Sequence, residues 1–169
     1  VLLPGHRYDT VGVAPLIVIA TAQESHVSIT IRGNEFRLLP ERCAFHVNRS
    51  TVLASDLHWG KAETFQRHGL AVNSSVLIDD LLKLDRALTR TRAERLLILG
   101  DLIHAREGIT HDVIDTIASW RLRHPNLTIQ LVRGNHDRKF FIPESWGIED
   151  VGYHIEEGNF MFAHDPPHE

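Results

Sequence analysis

The chain predicts an α/β domain, and three observations carry that reading. Short runs rich in apolar residues recur at 51–55 (TVLAS), 95–99 (RLLIL) and 127–132 (LTIQLV), each the length of a single strand. Two stretches between them place apolar residues at helical spacing. An alternating stretch ahead of them reads as a hairpin. Strand, helix, strand, helix, strand implies a parallel sheet with right-handed crossovers, and the hairpin adds antiparallel strands. Two sheets packed together with helices outside are one way to build this order.

Taken in order, residue 1 is valine and the sole methionine is Met161, so a processed, trimmed or fragmentary chain is expected. Residues 11–22 (VGVAPLIVIATA) are apolar and end like a signal-peptide cleavage site, but Pro15 interrupts them and they are too short to span a bilayer. An added edge strand, or sequence upstream of the true start, is the preferred reading over a leader remnant. We divide the chain into an N-terminal extension, 1–22, and one domain, 23–169. Residues 26–31 and 35–39 flank Arg32-Gly33-Asn34 and predict the hairpin, with the turn at Gly-Asn. Residues 44–47 and 51–55 predict strands around a turn at Asn48-Arg49.

Val76, Leu77, Leu81, Leu84 and Leu88 predict a helix capped by Asn73 or Ser74. Thr110 caps a second, whose inner face is Val113, Ile117 and Trp120, with Pro125 just past its end. A last short strand is expected at 160–163 (FMFA).

With 169 residues, 43% hydrophobic and 24% charged, the chain can bury a core without disulfides, and its one cysteine, Cys43, can form no internal bridge. Nothing points to an oxidising compartment, so the cytoplasm is the default, and no membrane association is expected. The net charge of −4 argues against a general nucleic-acid sheath and leaves room only for a local contact.

The core strands end in polar residues of a narrow set: Ser55-Asp56-Leu57-His58, Gly100-Asp101, Gly134-Asn135-His136-Asp137, and Ala163-His164-Asp165. Ligands of open α/β sheets bind beyond the carboxyl ends of the strands, so these groups converge. Carboxylate, imidazole and amide together suit Mn²⁺, Fe or Zn²⁺ and argue against a thiolate-bound structural zinc. Asp101, on the middle strand, is the choice for a carboxylate bridging two cations. Asp56 and His58 would complete the first metal site, Asn135 and His164 the second. A water held between the metals would become the nucleophile. His136 could donate a proton to the leaving oxygen, oriented by Asp137 or Asp101.

Asp-x-His, then Gly-Asp, then Gly-Asn-His-Asp resembles the ordered motif set of the calcineurin-like metallophosphoesterases, over roughly residues 50–165. The resemblance implies a metallophosphoesterase-like two-sheet β-sandwich flanked by α-helices (αββα). It also implies a bridging Asp101 and a phosphodiesterase activity by metal-hydroxide attack. The longer stretch from Asp56 to Phe65 (DLHWGKAETF), with Gly100-Asp101-Leu102-Ile103-His104 and Phe162-Ala163-His164-Asp165-Pro166, is similar to a narrower branch. That branch is the bacterial DNA-ligase-associated phosphoesterases (PdeM-like, ICC-type). It implies a DNA or nucleotide-like substrate, DNA repair, and association with a DNA ligase and a helicase; of the metals the donor set suits, Mn²⁺ is the choice. The family has a further Gly-His-x-His segment after the position of His164. Here the sequence reads Pro166-Pro167-His168-Glu169, so a domain truncated at its C-terminus is expected and the role is not carried to His168.

Two alternatives stand beside this reading. One is a small-molecule phosphomonoesterase or nucleotide pyrophosphatase. The other is a non-catalytic binding module with an incomplete metal site. His104 and Lys61 are candidates for the phosphate pocket, Arg133, Arg138 and Lys139 for a nucleic-acid backbone or substrate phosphate, and Trp59 for base stacking. Each has an ordinary surface or packing role as its competitor. Cys43 reads as a small buried residue rather than a nucleophile.

Overall fold

The computed structural model describes residues 21–22, 26–73 and 75–165. The leader-like stretch therefore lies outside the described residues except for Thr21 and Ala22. These two form a short strand, β1 (Thr21–Ala22), at the sheet edge, where it pairs with β2 (Val27–Ile31).

Among the described residues, one eight-stranded sheet carries its strands in chain order. After β2 come β3 (Asn34–Leu39), β4 (Cys43–His46), β5 (Thr51–Ala54), β6 (Arg95–Leu99), β7 (Thr128–Val132) and β8 (Ile148–Asp150). β1 to β5 are antiparallel. β5 to β8 are parallel. A second sheet pairs β9 (His154–Glu157) with β10 (Phe160–Ala163). The α-helices are α1 (Lys61–Arg67), α2 (Val76–Thr91) and α3 (His111–Leu122). No helix of the described residues is long and apolar enough to cross a membrane.

Successive side chains of a strand point to opposite faces, and this alternation sorts the core into layers. Val52, Ala54, Leu96, Ile98, Ile129 and Leu131 meet the inner faces of α2 and α3. On α2 that face is Leu77, Leu81, Leu84, Ala87 and Leu88, each buried leucine contributing about 1.5–3 kcal/mol. Leu53, Leu97, Leu99 and Val132 face the other way and pack with Ile155, Phe160 and Phe162 of the small sheet. The architecture is thus helices, large sheet, small sheet. Arg95 of β6 ties the last two layers together by a two-pronged ion pair to Glu157 of β9, at 2.5 and 3.0 Å.

Local chemistry adjusts several expected boundaries. The hairpin turn is Arg32-Gly33, both at positive φ (48° and 78°), the backbone of a two-residue primed turn, and Asn34 is already paired with Ile31. Val47 leaves its strand for a 3-10 turn, Val47–Arg49. The residue preceding α2 is Ser75, whose amide donates to Asn73 Oδ1 at 2.9 Å. Ser74 lies outside the described residues. Thr110 caps α3 as expected, accepting from the Val113 amide at 3.3 Å. The short elements α1, β8 and β9 were not anticipated.

Candidate metal centre

The loops after β5 and β6 are built together. Asp56, His58 and Asp101 all hold positive φ (55°, 48° and 53°), a region that costs a non-glycine residue about 1–2 kcal/mol. Such conformations persist where the surroundings over-determine them, and they cluster at functional sites. Here the surroundings are a ladder. Asp56 N donates to Gly100 O at 3.1 Å, His58 N to Asp101 O at 3.0 Å, Trp59 N to Leu102 O at 2.8 Å and His104 N to Trp59 O at 3.0 Å. The parallel pairing of β5 and β6 therefore continues past their ends to Trp59 and Ile103.

The end of β7 locks onto the same loop. The carboxylate of Asp137 is 1% exposed and accepts from the amides of Leu102, Ile103 and Gly134, at 3.3, 3.2 and 2.9 Å. The His136 amide donates to Asp101 Oδ1 at 3.1 Å. Two glycines make the approach possible. A Cβ on Gly134 would lie 2.3 Å from Asp101 Oδ1, and one on Gly100 would lie 2.3 Å from the His164 ring. The groups these glycines admit are the predicted ligands themselves.

Asp56, His58 and Asp101 each present a ligand atom within 4.8 Å of the others. Asp56 Oδ1 and His58 Nε2 are 3.8 Å apart. His164 Nε2 stands 3.5 Å from Asp101 Oδ1. His164 Nδ1 is 2.9 Å from Leu99 O, and a carbonyl only accepts, so Nδ1 carries a proton and Nε2 is the nitrogen that faces Asp101. Burial opposes charging of His164, but the Leu99 carbonyl and the Asp101, Asp165 and Asp56 carboxylates outweigh it and hold its pKa above the usual value. Asn135 is exposed and its Nδ2 donates to Asp165 Oδ2 at 2.9 Å, so its amide oxygen is the atom it could offer a cation.

A second cluster is His58, His104 and His136, again with ligand atoms within 4.8 Å. His136 Nδ1 is 2.7 Å from His104 O, and its Nε2 lies 3.8 Å from Asp101 Oδ2. His136 is thus held by the His104 carbonyl, with the Asp101 carboxylate nearby. Of the two groups expected to orient it, Asp101 lies near its Nε2 without a hydrogen bond, while both oxygens of Asp137 are taken up by backbone amides. His104, considered from the sequence only for a phosphate pocket, returns to the centre three residues after Asp101. Burial, then the neighbouring His58, Lys61 and His136, lower its pKa.

The donor set fits divalent cations. Two carboxylates and an imidazole converge, and the Nδ1 atoms of both His58 and His104 are buried without a hydrogen-bond partner. Such orphaned donors or acceptors cost stability unless something satisfies them. A hollow of about 470 Å³ between α1, α2 and α3 contains none of these groups.

The other sequence candidates separate clearly. Trp59 is 2% exposed and packs edge-on against Trp146, so it serves the core and cannot stack on a base. Arg133 is engaged with Asp150 at 2.6 Å and with the carbonyls of Asp137 and Phe140. Lys61 is exposed and lies over the Phe65 ring at 6.0 Å. Burial and the Glu41 carboxylate push the Cys43 thiol up to about 12, which keeps it protonated near neutral pH. His168 lies outside the described residues.

Compared with protein-family models the chain matches none, and a comparison with curated proteins likewise finds no match. Among solved structures it is similar to the crystal structure of Pseudomonas putida nuclease MPE, at 32% identity and a TM-score of 0.70. The likeness covers 79% of this chain and 63% of that one, so the chain spans somewhat less than two thirds of its neighbour's length. The chain has the fold of that nuclease.

Proposed function

We propose that the chain carries the metal centre of a phosphodiesterase that cleaves DNA or a nucleotide-like diester. The observation that carries this reading is the placement of Asp101. Asp101 is buried, offers a ligand atom within 4.8 Å of those of Asp56 and His58, and has Oδ1 3.5 Å from His164 Nε2. A carboxylate within reach of both sets of ligands is what a shared cation bridge would need. Asp56 and His58 would hold the first cation, Asn135 and His164 the second, with Mn²⁺ the choice among the metals this donor set suits, Fe and Zn²⁺ being the others. Two such cations, when bound, supply Lewis-acid activation of water and neutralise charge on the phosphoryl oxygens.

The chain's own side chains do the rest. The His104 carbonyl fixes the His136 Nδ1 proton, so Nε2 is the atom positioned to give a proton to the leaving oxygen. Lys61 lies near enough for its charge to lower the His104 pKa, and on this reading the two would receive phosphate oxygens. The nuclease likeness supports a diester as substrate, and the resemblance to the DNA-ligase-associated branch supports a place in DNA repair beside a ligase and a helicase. Hydrolysis of an aryl phosphodiester in Mn²⁺ and in chelator tests the reading. Turnover that needs metal and is lost in Asp101→Ala supports it; turnover unaffected by chelator overturns it.

A further inference from the structure

Phe141 is 92% exposed, the most exposed large apolar side chain among the described residues. Its neighbour Phe140 turns inward, joins the core and lies 6.0 Å from Trp146. The segment is braced from behind. The Arg133 guanidinium, paired with Asp150, donates to the carbonyls of Asp137 and Phe140, the latter at 3.1 Å. Phe141 is therefore displayed on a fixed backbone. Arg138 and Lys139, on the 3-10 turn His136–Lys139 just before it, are exposed, and no ion pair or side-chain hydrogen bond engages either among the described residues. The turn opens with His136, so the Phe141 backbone is at most about 13 Å from it, at ~2 Å per residue of 3-10 helix and ~3.5 Å per extended residue.

A fixed aromatic face flanked by two unpaired cations matches one kind of partner. Sequential bases of a single strand offer π-faces, and its phosphates offer the opposite charge. A base inside a duplex has both faces already stacked. We propose that Phe141 is a stacking platform for an unpaired base, with Arg138 and Lys139 receiving the adjoining phosphates. On this account the platform, rather than the metal centre, makes the site favour diesters within a strand over small ones. The proposal rests on the phosphodiesterase reading for its place in the reaction.

Two measurements separate the platform from that reading. The first is binding of a short fluorescent single-stranded oligonucleotide in chelator, which involves no catalysis. The parent protein binds; Phe141→Ala weakens binding about tenfold, and Phe141→Trp restores it. Arg138→Ala with Lys139→Ala flattens the salt dependence by about 1.4 in logarithmic slope. The second is turnover of an aryl phosphodiester in Mn²⁺, which Phe141→Ala leaves unchanged. Failure of the parent to hydrolyse the aryl diester sinks the phosphodiesterase reading. Unaltered oligonucleotide binding in Phe141→Ala, or no binding by the parent, overturns the platform. A lower melting temperature in Phe141→Ala with unchanged binding overturns it in favour of a packing role.

Discussion

The Gly100 backbone and the His164 ring are in direct apposition: a Cβ on Gly100 would lie 2.3 Å from the imidazole, and Gly100 itself sits at a φ of 75°. Gly100→Ala therefore meets both a strained backbone and a ring with little room to move. We expect it to displace His164 and weaken metal binding at least tenfold. Gly33 is the control, because its φ is 78° but its Cβ would meet nothing within 4 Å. Gly33→Ala should cost about 1–2 kcal/mol of stability and leave metal affinity alone. Metal titration and thermal melts of the two variants make the comparison.

Asp137 has a structural part that its position next to His136 conceals. Three backbone amides converge on its buried carboxylate. Asp137→Ala leaves them unsatisfied and should destabilise the protein by more than about 3 kcal/mol. Asp137→Asn keeps the shape but turns an amide group on donors, and should fall between. His136→Ala, an exposed site, should lower turnover with little change in stability. Denaturant melts alongside kinetics separate the two residues, and equal stability losses would contradict this division.

The Arg95–Glu157 pair gives the joint between the sheets a pH dependence. The hydrogen bond from Arg95 lowers the Glu157 pKa below its ordinary 4.5, with burial opposing and the Arg95 charge adding. A carboxyl depressed in the folded state contributes stability that is fully present above the ordinary value and lost as pH falls through the folded one. The stability difference between the parent and Glu157→Gln should be constant from pH 6 to 8 and shrink on acidification below about pH 4.5. A difference that grows in acid would contradict the assignment.

Cys43 should be inert while the protein is folded. Its thiol is pushed up to about 12, so almost no thiolate exists at neutral pH. Labelling by a thiol-specific reagent at pH 8 should be slow in the native protein and rapid in denaturant. Fast native labelling would contradict the raised thiol pKa.

How much of this was legible in the sequence follows from how much apolar patterning each element carries. β6 and β10 fall where their apolar runs place them, at Arg95–Leu99 and Phe160–Ala163. β9 has a single apolar residue, Ile155, and β8 is three residues long, so neither shows a period. α1 buries only Ala62 and Thr64, too narrow a stripe to read. The donors at the strand ends were visible as residue types following strands, and Asp56, His58 and Asp101 do come together. The orientation of neighbours was not visible. His136 and Asp137 are adjacent, yet in a 3-10 turn successive side chains point about 120° apart, so one faces the centre and the other the buried amides. The return of His104 needed the ladder between the two loops, whose signal in the sequence is only the spacing Asp-x-x-His.

On the proposed reading Asp101 is shared between two cations. Mn²⁺ titration followed by electron paramagnetic resonance addresses it directly, because two manganese ions held by one carboxylate are magnetically coupled. We expect the signal of free Mn²⁺ to disappear over two equivalents and a coupled spectrum to form, and Asp101→Ala to abolish the coupling. Saturation at one equivalent, or a coupled spectrum that survives in Asp101→Ala, would contradict the account.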